Sequence, residues 1–265
     1  MARINGALSY TGDLNGLSAY KMKGVDGIVL RSKGGPDKKR IQKDPNFAMT
    51  RSWNSEFAAC VRLRQSISQC IHPVKHLADH NYTGFLNGVC KSVQQLDTVN
   101  ALGRRSVLLS RGSYKMEGFS LTRENPFESV MRHPIHCDID RTVGNAVIDL
   151  PLIEPGINLR NPMDQPLYRF AFVLGAVADI IYDAAAQMYC PAVEGLPFSQ
   201  LVRTDWHTWK EKTEAQQLSL TLGNWTNPGG TTLVLAAGIE FGVPVGGDQV
   251  KYVKYAGTAK LLKMI

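Results

Sequence analysis

The sequence predicts an α+β chain that is mostly β: an antiparallel β-sandwich, jelly-roll or immunoglobulin-like, with an inserted αα-hairpin and an N-terminal β-hairpin arm. Three observations predict it. Short runs of alternating apolar residues, separated by Gly, Pro and Asn turns, fill residues 106–265. Apolar residues spaced by three, four and seven occupy 47–97. Strand-like residues flank a Gly-Val-Asp-Gly connection within Gly16–Gly34. The chain therefore divides into a basic arm (1–44), a helical hairpin (45–101) and a β-sandwich body (102–265).

In chain order, residues 1–15 read as an extended lead-in with apolar anchors at Ile4, Leu8 and Tyr10. Leu17 and Ala19 then alternate with Ser18 and Tyr20, and the return strand is Ile28-Val29-Leu30. A lone hairpin is marginal in water, so this one requires a surface to dock on. Gly34-Gly35-Pro36 breaks the chain, and Asp44-Pro45-Asn46 starts a helix, with Pro tolerated in the first turn. Trp53, Phe57, Cys60, Val61, Ile67 and Ile71 form its apolar stripe. His72-Pro73 marks a break. A second stripe runs through Val74, Leu77, Tyr82, Phe85, Leu86, Val89, Val93 and Leu96, weakened by Gly84 and Gly88.

Strands are expected at 106–110, 116–122, 135–140 and 144–150, with a helical turn at Asn125–Glu128. Tyr168–Ile181 is apolar on both faces, as a central sandwich strand is, although alanine-rich 174–187 also suits a helix. LSLTL (218–222), TTLVLAAGIEFGV (231–243) and the closing VKYVKYAGTAKLLKMI (250–265) complete the strands.

The 265 residues are 44% hydrophobic and 20% charged, which fits a folded chain and excludes wholesale disorder. No apolar run reaches the ~18 residues of a membrane-spanning helix. The N-terminus lacks the apolar core of a signal peptide, so synthesis in the cytoplasm is expected, with the final location open. Five cysteines without a CxxC pair read as buried, reduced thiols. The formal charge of +7 is unevenly placed: residues 1–65 hold 12 Lys/Arg against 5 Asp/Glu, and the remainder is balanced. Such a local field suits nucleic acid or an acidic protein face.

Catalytic chemistry is not visible. There is no GxSxG elbow, no phosphate loop and no GxGxxG fingerprint, so a non-enzymatic chain without cofactor is expected. His72, His76 and His80, at i, i+4 and i+8, are weak metal candidates, because a helix would bring their rings to one face. Pro73 and the missing glutamate of an HExxH site weigh against them, and no metal is expected. Asp138-x-Asp140 reads as two solvated charges.

The run GLSAYKMKGVDGIVLRSKGG (16–35), followed by DPNF (44–47) and SEF (55–57), resembles an uncharacterised Bacteroidota protein family. GIEFG (238–242) and AKLLKM (259–264) resemble the same group. That resemblance implies an N-terminal hairpin, a helical pair and a β-sandwich, with no activity and no functional residues.

The expectation from these features is a structural, self-assembling subunit of a homo-oligomer or filament. Its interaction arm would comprise Tyr20, Lys21, Lys23, Ile28, Leu30, Arg31, Lys33, Lys38, Lys39, Arg40 and Lys43. The alternative is a nucleic-acid-associated protein that binds phosphates through the basic residues of 21–64, with Trp53 and Phe57 packed in the core rather than stacking on bases.

Overall fold

The computed structural model describes residues 2–4, 10–22, 25–32, 34–247 and 249–265. The chain forms two compact units, Met1–Arg51 and Ser52–Ile265. The unit boundary falls at 51/52, inside the segment expected as the helical hairpin, and residues 52–101 share a core with 102–265 in the second unit.

In the first unit, β1 (Ala2–Ile4), β2 (Gly12–Leu14), β3 (Leu17–Tyr20) and β4 (Ile28–Ser32) make one antiparallel sheet in the order β1-β4-β3-β2. The expected hairpin is β3–β4, with Tyr20 opposite Val29. The lead-in is extended as expected at 2–4 and 12–14, and there β1 and β2 pair on either side of the hairpin. The β2–β3 connection is Asn15-Gly16, with φ of 43° and 81°. Positive φ at both central residues is the geometry that matches strand twist in a two-residue hairpin, and Asn-Gly adopts it most readily. Of the lead-in anchors, Leu8 lies outside the described residues, as do Lys23, Gly24 and Lys33.

Helix α1 (Lys38–Lys43) follows, capped by Asp37, whose carboxylate accepts from the Arg40 N–H at 2.6 Å. Asp44 then caps a 3-10 turn over Pro45–Phe47, accepting from the Asn46 N–H at 2.9 Å. The predicted helix start thus lies where expected, and α2 runs over Ala48–Cys70.

The second unit continues with α3 (His72–Lys75), α4 (Thr83–Gln94), α5 (Leu109–Gly112) and α6 (Phe127–Val130), then β5 (His136–Asp140) and β6 (Asn145–Leu150). Strands β7 (Leu167–Ala178), β8 (Ile180–Asp183), β9 (Met188–Pro191), β10 (Phe198–Arg203), β11 (His207–Thr208) and β12 (Gln216–Thr221) follow. The chain closes with β13 (Thr231–Gly246), β14 (Gln249–Tyr252) and β15 (Thr258–Met264).

The expected strands at 106–110 and 116–122 are instead α5, a 3-10 turn and two isolated bridges, Val107–Ile180 and Ser120–Lys260. Ser110 supplies a reason. Its backbone N–H and Oγ both donate to the buried Asp179 carboxylate, at 2.8 and 2.5 Å, which draws the chain out of any ladder. The helical alternative for 174–187 does not form: β7 runs to Ala178, and β8 and β9 pair as a separate hairpin.

The central sheet has the order β10-β7-β13-β14, with β11 on β7 and β15 on β13. Strands β7 and β13 pair from Leu167–Gly242 to Ala178–Thr231. Side chains alternate across the sheet, so each strand serves two cores. Tyr168, Phe170, Phe172 and Leu174, with Leu233, Leu235, Ile239 and Phe241, pack against Ala146, Ile148 and Leu220 of the second sheet, β12-β6-β5. This is the sandwich. On the opposite face Ala171, Val173, Val234 and Ala236 meet Leu63, Ile67, Val74 and Leu86 of the helices. That face is built from small residues, and the helices lie close. A Cβ on Gly238 would stand 2.6 Å from Leu77 Cδ1, and one on Gly175 2.8 Å from the Phe198 carbonyl oxygen.

The helical stripes need correction. Trp53 and Phe57 are 46% and 53% exposed, and Phe85 and Leu96 also face solvent. The buried face of α2 is Glu56, Ala59, Cys60, Leu63 and Ile67. Apolar periodicity passed over Glu56 because a carboxylate enters a core only with partners. The cysteine reading holds in part. Cys60, Cys70 and Cys90 are buried, whereas Cys137 and Cys190 are half-buried, and all five are free.

Candidate functional site

The arm residues fall into two groups. Tyr20 ends β3, with the Arg31 guanidinium 5.5 Å from its ring centre, and Lys21 is exposed just beyond. Ile28 is buried and Leu30 half-buried, so Ile28 presents no surface to a partner. Lys38, Lys39, Arg40 and Lys43 form the exposed α1, where Arg40 Nε donates to Asp44 at 3.3 Å and its guanidinium stands 5.8 Å from the Phe47 ring. At the tip of the β2–β3 hairpin Leu14 and Leu17 lie directly opposite one another, 55% and 43% exposed.

The three histidines do not converge. Helix α3 is four residues long and His76 is its C-cap, so the i, i+4, i+8 geometry is never built. His80 pairs with Asp79, Nδ1 to Oδ1 at 2.7 Å. Asp79 also accepts from the backbone N–H groups of Arg123 and Glu124. Burial pushes the Asp79 carboxyl up, but His80 and these N–H groups outweigh it and hold it low. Among the described residues no group of three or more His, Cys, Asp and Glu is arranged to hold a metal.

His72 and His76 instead line an open depression of about 570 Å³ with Pro73, Lys75 and Arg203. Behind it, on the helix-facing side of the central sheet, lies Glu240, a buried carboxylate in β13. Its cross-strand neighbour Arg169 donates Nε to Oε2 at 2.6 Å, and NH2 stands 2.5 Å from the same oxygen. Oε1 lies 3.2 Å from His76 Nε2 and 3.5 Å from Arg203 Nε. Those are ion-pair distances, longer than the two contacts from Arg169, so Oε1 is the less tightly held oxygen. Burial pushes the Glu240 carboxyl up, and His76, Arg169 and Arg203 together bring it below its ordinary value. Aromatic rings wall the cluster. The Arg169 guanidinium lies 4.3 Å from the Trp206 ring centre, and the Tyr252 ring meets the His76 imidazole edge-on at 5.0 Å.

A second buried carboxylate, Glu56, has a different character. It accepts from Arg105 Nε and NH2 at 2.7 Å each, from Lys91 Nζ at 2.7 Å and from the Gly103 N–H at 2.9 Å. Burial raises its pKa, but Arg105, Lys91 and Gly103 outweigh that and lower it from 4.5 to about 2. Every lone pair in reach is used, so this network fastens α2 to α4 and the 103–105 turn. Beside it, exposed Trp53 and Phe57 line an apolar groove with Gly84, Gly88 and Lys91.

Sequence reasoning missed both glutamates, though Glu240 carried a signal. It is the one charge in the 13-residue run Thr231–Val243, and Arg169 stands alone in LYRFAFVLGAVA. Isolated opposite charges in two apolar strands mark a buried pair.

Fold and cluster together define a three-layer protein: helices, a long central antiparallel sheet and a smaller sheet, joined to an N-terminal four-stranded unit. Compared with protein-family models, curated proteins and solved structures, the chain finds no match.

Proposed function

We propose that the chain is a self-assembling structural subunit that docks on neighbouring copies through its N-terminal unit. One observation carries this reading: among the described residues the outer strands of that unit are β1 and β2, and the β2–β3 tip holds the exposed cross-strand pair Leu14–Leu17. Outer strands are templates for further pairing, and an exposed leucine pair at a hairpin tip gives such pairing an apolar anchor. Whether repeated docking closes into a ring or opens into a filament depends on the rotation between copies.

Mass photometry at micromolar concentration tests the reading. The native chain should give species above the monomer. Leu14→Lys with Leu17→Lys, a change confined to exposed positions, should shift them to monomer, as should removal of residues 1–35. A native chain that is strictly monomeric refutes it.

A second reading, phosphate-backbone binding to nucleic acid, is favoured by the exposed Lys38, Lys39 and Lys43 of α1. Unchanged mobility of DNA and RNA with micromolar protein at low salt would rule it out.

A further inference from the structure

We propose that the depression lined by His72, Lys75, His76 and Arg203 binds a small phosphate-bearing ligand. Charge bookkeeping comes first. Arg169 places both its Nε and Nη2 on Oε2 of Glu240, and Arg203 stands 3.5 Å from Oε1. The cluster then holds three cations, Arg169, Arg203 and Lys75, against the single carboxylate of Glu240, no carboxylate lines the depression, and two imidazoles add ring nitrogens. An excess of two positive charges, with nitrogen donors from three positions of one helical turn and one strand, complements a dianionic oxyanion.

The second part of the argument is fixation. Cations on a mobile surface are poor sites, because ordering them costs side-chain entropy. Here Arg203 and His76 are held from behind by the buried Glu240, and Tyr252 fixes the face of His76. The Glu240 carboxylate they approach is itself buried in the sheet. A charge buried in this way is costly for stability alone and is more often found where a site needs its donors preorganised. Glu240 is therefore a positioning residue, while Arg203, Lys75 and the imidazoles contact the ligand. At about 570 Å³ the depression is within the range of small-molecule sites, large enough for a phosphate and the group that carries it.

Isothermal titration calorimetry of the full chain against inorganic phosphate and against glycerol phosphate tests this. Saturable binding of either is expected. Tighter binding of glycerol phosphate assigns a phosphate monoester, and tighter binding of inorganic phosphate assigns the free anion. Lys75→Gln, at an exposed position that does not threaten the fold, and Arg203→Gln should each weaken the affinity about tenfold or more. Lys210→Gln, an exposed lysine that lines no part of the depression, should leave it unchanged. Absence of binding at millimolar ligand overturns the proposal. So does an affinity that Lys75→Gln leaves untouched, or one that Lys210→Gln lowers equally.

Discussion

Glu56→Gln is the sharpest test of the helical layer. The substitution keeps the shape of the side chain and removes its charge, leaving Arg105 and Lys91 facing an amide. Loss of one partner from a fully buried pair costs about 3–5 kcal/mol. Lys91 and Arg105 are 24% and 19% exposed and can turn toward water, which brings the loss below that range, to about 2–3 kcal/mol. Urea unfolding followed by circular dichroism reads this as a midpoint lowered by roughly 1 M. The pH dependence supplies an independent check. The Glu56 carboxyl lies at about 2 in the fold against 4.5 as a free side chain. The unfolded chain therefore takes up its proton first as pH falls. The charge's contribution is complete above pH 4.5 and is lost progressively toward pH 2. Its ceiling is about 3 kcal/mol, which partial solvent access of the two cations reduces to about 1–2 kcal/mol. The stability gap between native and Glu56→Gln chains should thus be level above pH 5 and narrow toward pH 2. A gap under about 0.5 kcal/mol at pH 7, or one that does not narrow in acid, refutes the reasoning.

Other expectations follow from packing and reactivity. Gly175→Ala should lower stability by about 1–3 kcal/mol, because its Cβ enters the contact shells of Cys70 Sγ and the Phe198 carbonyl. Adding Cys70→Ala should recover only part of that loss in a thermal melt, since the carbonyl stays in place; full recovery would contradict the close approach. Burial pushes Cys60 up to about 11 and Cys70 up to about 12 and raises Cys90 and Cys137 as well, but only Cys137 and Cys190 are half-buried rather than buried, so in the folded protein an aromatic disulfide reagent should label these two first. Rapid reaction of all five thiols would show that the helix–sheet core is open. Asp179→Ala strips the Ser110 N–H and Oγ of their acceptor and should cost about 1–3 kcal/mol, read as a lowered urea midpoint.

What the sequence made legible was governed by period. Leu233, Leu235, Ala237, Ile239 and Phe241 alternate because one face of β13 meets the second sheet, and the strand was found where that pattern runs. Asp44-Pro45-Asn46 marked the helix entry because capping is local chemistry. Asn15-Gly16 was equally readable but lay in a stretch too short of apolar residues to suggest strands. The 106–122 region misled because its turn is set by Asp179, about 70 residues away in sequence, and no local pattern records such a partner. Trp53 and Phe57 misled for the reverse reason. They continue the apolar period of α2, yet the helix has rotated its buried stripe onto Glu56. The candidate site was half visible: His72 and His76 were noticed as ligands for a metal, whereas their neighbours in space come from strands β10 and β13.

Glu56 and Glu240 separate a structural charge from a site charge by the same physical test. Both are buried on the helix–sheet side of the protein and both have their carboxyl pKa lowered by cations. Around Glu56 the donors are aligned and spent: two from Arg105, one from Lys91 and one from Gly103. Nothing is left over to recognise another molecule. Around Glu240 the close contacts are both on Oε2, and the two groups nearest Oε1 also line an open depression. In the proposed site the longer contacts of Arg203 and His76 let them divide their hydrogen-bonding capacity between the carboxylate behind them and an anion in front. Ligand binding at the depression should then raise the thermal midpoint of the native chain more than that of Glu240→Gln, in which this positioning is lost. Equal shifts in the two proteins would show that Glu240 has no part in holding the cations.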